Sequence, residues 1–233
     1  MEADVFQANE QPSRQDQFIA EKVLFRHSLT QVKLLDPSLT IFICYDLEDK
    51  DVYTKVASLV EDLVALSIPE NQIFWRNVAG SENSIYQYAA KLFETSKVFV
   101  VGSHGLKEKY EGEKAERGII SHQIENLLTR KLKKGPTGII PVWFQGRIEE
   151  NLPSDLSSFE PHYLGDNYFI NFFDLLLDID GGPSIKESKK NFSESCRILT
   201  PEFIFQYAEK LRQYQQETDE KNKLNFEIFL TKQ

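Results

Sequence analysis

The sequence predicts an α/β protein whose core is an open, flavodoxin-like parallel sheet of four to five strands with helices on both faces, extended by helical segments at both ends. Three observations predict it. Apolar runs of strand length alternate with amphipathic helical segments, the pattern of successive βαβ units. The 233 residues suffice for one well-buried domain with appendages and fall short of two domains of average size. Apolar residues make up 41% of the chain, with 17 Phe and 9 Tyr, which supplies a core and argues against global disorder.

Residues 1–15 are polar and are expected to form a disordered tail. Within residues 16–37, Phe18, Ile19, Val23, Leu24, Leu29, Val32 and Leu35 recur at roughly helical intervals until Asp36-Pro37, which predicts an N-terminal helix. Residues 38–180 carry the sheet domain. Its strands are predicted at Thr40–Tyr45, Gln72–Trp75, Lys97–Gly102 and Gly138–Phe144, with a short edge strand at His162–Leu164. Between them, Asp51–Leu66 has Val52, Val56, Leu59, Val60, Leu63 and Val64 on one face, and further helices are predicted at Ile85–Thr95 and Gly118–Leu132. The run Tyr168–Ile179 is apolar nearly all round and predicts a buried closing helix. Gly181-Gly182-Pro183 and the Lys-, Ser- and Glu-rich stretch after it read as a linker, residues 181–199. Thr200-Pro201 then starts a C-terminal helical extension, residues 200–233, expected either to pack back on the sheet domain or to lead into further domains.

The net charge of −9 gives the long-range field the wrong sign for nucleic acid or an anionic membrane surface, so neither is an expected partner. No stretch of about 18 uncharged apolar residues predicts a membrane span, and no secretory signal pattern opens the chain. Cys44 and Cys196 form no disulfide framework, and Cys44 reads as a small buried hydrophobe, so a cytoplasmic location is expected. His27, His104, His122 and His162 lack ligand spacing, and no metal is expected. A nucleophile or phosphate-loop reading of Ser103-His104-Gly105 finds no partner set and no Gly-rich cradle.

In an open parallel sheet, functional groups gather beyond the carboxyl ends of the strands, here the loops that begin at Tyr45, Arg76, Ser103 and Gln145. Those loops carry a family resemblance. IFICYDLEDKDVYTKVASLVEDL resembles the opening of TIR domains, the Toll/interleukin-1-receptor type of signalling module, with an aromatic strand end, an acidic turn and a long amphipathic helix. IFWRNVAGSENSIYQYAAKLFETSKVFVVGS is similar to that family's second strand, its glycine-bearing BB loop, a helix and a third strand ending in Ser. GIIPVWF and Leu152-Pro153-Ser154-Asp155-Leu156 resemble the fourth strand and its continuation, so the match covers about Leu39 to Ile179.

The resemblance implies one of two roles, both familiar from innate immunity. One is signal transduction by association with itself or with other TIR domains, through the BB loop at Asn77, Val78, Ala79, Gly80 and Ser81 and through the helix Gly118–Leu132. It needs no cofactor. The other is NAD+ nucleosidase or ADP-ribose cyclase chemistry with NAD+ as substrate, in which a helix glutamate stabilises the cationic transition state. Tyr45, Asp46, Arg76, Ser103 and Gln123 would then surround the nucleotide. Counting without gaps from Ser103, and matching Ile124, Leu127 and Leu128 to the apolar residues that follow the glutamate, puts the catalytic position at Gln123, which carries no charge. Ile119 stands at the family's aromatic position and Arg76 at its acidic one. Glu125 serves only if the helix slips by two residues, a rotation of about 200°. These departures favour the association role. Two positions stay open on the residues alone: Tyr45 as cleft lining or core cap, and Gly80 as BB-loop glycine or ordinary turn.

Overall fold

The computed structural model describes residues 12–75, 91, 94–112, 125, 138–156 and 159–204. Five parallel strands, β1 (Ile41–Cys44), β2 (Ile73–Phe74), β3 (Lys97–Gly102), β4 (Ile139–Trp143) and β5 (His162–Tyr163), form one sheet in the order β2-β1-β3-β4-β5. This is the flavodoxin-like arrangement, and each strand falls within the predicted run. The register pairs Ile41 with Ile73 and Lys97, Val98 with Ile139, and Val142 with His162.

The period-two alternation of strand side chains divides the apolar residues between two cores. Ile41, Ile43, Phe99, Val101, Ile140 and Val142 face the larger one. Phe42, Cys44, Val98, Val100 and Ile139 face the smaller. Helix α2 (Lys50–Ala65) is N-capped by Asp49, which accepts from the amides of Asp51 and Val52, and it buries Val56, Leu59 and Leu63 on the larger core. Two helices cover the far side of the sheet's other end. Helix α3 (His104–Glu111) follows β3, and the short α4 (Ile148–Asn151) follows β4. Helix α5 (Tyr168–Ile179) spans the predicted closing helix and buries Phe169, Phe172, Phe173, Leu175 and Leu176.

An all-round apolar helix needs cover on the side away from the sheet. Helices α1 (Arg14–Leu29) and α6 (Pro183–Arg197) supply it. Phe25 of α1 lies 4.8 Å from Phe169, 5.3 Å from Phe172, 5.6 Å from Phe173 and 5.9 Å from Phe192 of α6, ring centroid to centroid. The segment 181–199, read from composition as a linker, is thus a docked helix. Pro183 opens it, and Ile185, Ser188 and Phe192 form its buried stripe. Helix α1 is also shorter than predicted, because tertiary partners take the amides beyond it. Lys33 donates to Ser184 Oγ at 3.0 Å, and Leu35 and Asp36 donate to the Asp180 carboxylate at 2.9 and 3.1 Å. The chain there runs as a strap rather than a helix. The helices predicted at Ile85–Thr95 and Gly118–Leu132, apart from Lys91, Glu94, Thr95 and Glu125, lie outside the described residues, as do residues 1–11 and 205–233.

Among the packing contacts of α1 with α2 and α5, one polar cluster stands out. Asp62 is 2% exposed, its Oδ1 lies 3.4 Å from Arg26 Nε, and Tyr168 donates to its Oδ2 at 2.9 Å. Arg26 also reaches Glu61 at 2.8 Å. Burial pushes the Asp62 carboxyl above the usual carboxylate range, against the opposing pull of Arg26 and the Tyr168 hydroxyl. A folded-state value above the unfolded one means that folding favours the protonated form. The charged form therefore opposes folding at neutral pH, and that cost disappears as pH falls through the folded value. Asp62→Asn is expected to match or exceed the parent's stability by up to about 1 kcal/mol near neutral pH, with the difference shrinking on acidification, as read by urea unfolding across pH. Arg26→Met, which strands the buried carboxylate, is expected to lower stability by about 2 kcal/mol.

Candidate functional site

With the order β2-β1-β3-β4-β5, the chain winds outward in opposite directions from β1 and β3, and the crevice between their carboxyl ends is the switch point where such sheets bind ligands. Tyr45 and Asp46 leave β1 there, and Ser103 leaves β3. The structure therefore brings three of the predicted site residues to one place.

Each of the three has a structural task. Tyr45 continues the inward alternation of Ile41 and Ile43 and is 1% exposed, packed within the larger core. Ser103 has extended backbone, φ −152° and ψ 161°, and its Oγ accepts from the Leu106 amide at 3.1 Å, making it the N-cap of α3. Asp46 is 4% exposed. Its Oδ1 accepts from Lys109 Nζ at 2.7 Å and from the Glu48 amide at 3.1 Å, while its backbone carbonyl accepts from Asp49. Glu48 Oε2 lies 2.6 Å from the same ammonium. Burial on its own would lower the Lys109 value, but the hydrogen bonds that Lys109 donates to both carboxylates, with their charge, outweigh burial and hold the ammonium above the usual lysine range.

Gly105 makes this arrangement possible. A Cβ there would come within 2.5 Å of Asp46 Oδ2, so any larger residue would have to displace the carboxylate end that the first turn of α3 now rests on. No helix is predicted over α3, where only Ser103-His104-Gly105 is singled out. The signals were the Ser cap and the pair Leu106 and Tyr110, four apart and both buried. Lys109, the cation that bridges the two carboxylates, carried no sequence signal, because its partners lie 63 and 61 residues away.

At the neighbouring strand ends, Lys55 donates to Gln145 Oε1 at 2.8 Å and lies 5.9 Å from the Phe144 ring centroid, while Trp75 packs on Tyr53 at 5.6 Å. Glu125 is exposed on helical backbone. Arg76, Gln123 and the BB-loop residues Asn77, Val78, Ala79, Gly80 and Ser81 lie outside the described residues. Cys44 is buried in β1, and that burial pushes its thiol up to about 12, so it is no nucleophile. Among the described residues no group of three or more His, Cys, Asp or Glu side chains could hold a metal ion, and no helix is long and apolar enough to cross a membrane.

Compared with known protein families, with curated proteins and with solved structures, the chain matches none.

Because the Ser103 hydroxyl is a cap, Ser103→Ala is expected to lower stability by about 1 kcal/mol in urea or thermal unfolding. An unchanged midpoint would show that the hydroxyl serves something other than α3.

Proposed function

We propose that the chain is a TIR-type module that works by association with itself or with other TIR domains, through the loop 77–83 and the helix predicted at 118–132. The observation that carries this reading over catalysis is the state of the switch-point crevice. An enzyme that cleaves NAD+ needs an uncompensated carboxylate and open polar groups beside the ribose. Here Lys109 pairs with the buried Asp46 and bridges to Glu48, Ser103 caps a helix, and Tyr45 is enclosed in the core. Gln123, at the position of the family's glutamate, supplies no charge.

The reading predicts concentration-dependent assembly without turnover. Light scattering on the purified chain is expected to show its mass rising with concentration. Gly80→Arg is expected to weaken association roughly tenfold or more, the scale of an interface hot spot. The same preparations incubated with NAD+ are expected to release no nicotinamide above a protein-free control. Nicotinamide release that is lost in Glu125→Ala and kept in Gln123→Ala would replace this reading with the hydrolase one.

A further inference from the structure

We infer that α3 is a latch over the β1/β3 crevice, hinged on the β4 side and held shut on the β1 side by Lys109. The attachments of the helix differ on its two flanks. Toward β4 it is anchored by several groups: Tyr110 donates to Asp155 Oδ2 at 2.6 Å, Glu111 Oε1 accepts from the Ser154 amide at 3.0 Å, and Lys107 reaches the Glu149 carbonyl. Toward β1 it is held by the Lys109 ammonium, bridging Asp46 and Glu48, and by the close seat of Gly105 on Asp46.

The apolar grip beneath is small. Of the eight residues of α3, only Leu106 and Tyr110 are buried, and both face the smaller of the two cores. Elements with little buried apolar surface open first, well below the free energy of global unfolding. The Glu48 leg of the bridge is within reach of salt, since the Glu48 side chain is 76% and that of Lys109 36% exposed, while the Asp46 leg, 5% exposed at the carboxylate, is screened less. Swinging α3 away on its β4 anchors would bare Asp46 and the carboxyl ends of β1 and β3. Ionic strength, or any anion that captures Lys109, thus sets how often the crevice is open. This device is independent of whether the chain assembles or turns over a ligand.

Hydrogen exchange read by mass spectrometry, on the dilute full chain in low and high KCl, tests it. The amides of Lys107–Gly112 are expected to exchange faster than those of β1 and β3, and roughly tenfold faster in high salt, the scale of one charge-assisted hydrogen bond. Lys109→Met is expected to show the high-salt rate already at low salt. Gly105→Ala, whose Cβ displaces the Asp46 carboxylate end with every charge in place, is expected to move the rate in the same direction. Protection of β1 and β3 in each variant reports that the sheet is intact, and the salt series on the parent chain stands if either variant fails to fold. Exchange of α3 in step with β3 at both salt concentrations, indifferent to Lys109→Met, would overturn the latch.

Discussion

Everything in this molecule answers to one constraint: a parallel sheet that is apolar on both faces must be covered on both. The alternation of Ile41, Ile43 and Tyr45 against Phe42 and Cys44 commits β1 to two cores at once. Helix α2 and helix α5 meet the larger core. Helix α5 is itself apolar nearly all round, so covering the sheet creates a second surface that needs covering, and α1 and α6 close it. The outermost layer is a consequence of the innermost one.

The same tight cover explains how charge is handled. Asp46 and Asp62 are both buried, and each draws a cation from a neighbouring helix, Lys109 from α3 and Arg26 from α1. Their surroundings differ. Asp46 lies at a strand end and receives an amide as well as the ammonium, whereas Asp62 lies between helices, where burial outweighs its partners. One carboxylate thereby joins a movable element to the sheet, and the other joins an extension to the domain.

What was legible in the sequence follows the range of the interactions involved. The strands and α2 and α5 were legible because their apolar periodicity is local and strong; Tyr168–Ile179 spans the same residues in sequence and structure. Helix α6 was not, because its buried stripe consists of Ile185, Ser188 and Phe192 in a stretch otherwise full of Lys, Ser and Glu, and composition hid the spacing. The end of α1 was misjudged for a different reason. Amides at Lys33, Leu35 and Asp36 are claimed by Ser184 and Asp180, which lie about as far along the chain as the domain extends. At the candidate site, Tyr45, Asp46 and Ser103 were found as neighbours, since strand ends converge wherever the sheet forms. Their occupations were not legible: a cap depends on α3, and the ion pair of Asp46 depends on Lys109 arriving from β3's side.

The aromatic nest around Phe25 bears on how the molecule can be divided. Rings from three segments, Phe25 of α1 before the sheet, Phe169, Phe172 and Phe173 of the closing helix α5, and Phe192 of α6, share one enclosure. A shortened version trimmed to the sheet alone would hand those phenylalanines to water, so a unit that keeps the nest enclosed carries both flanking helices with it.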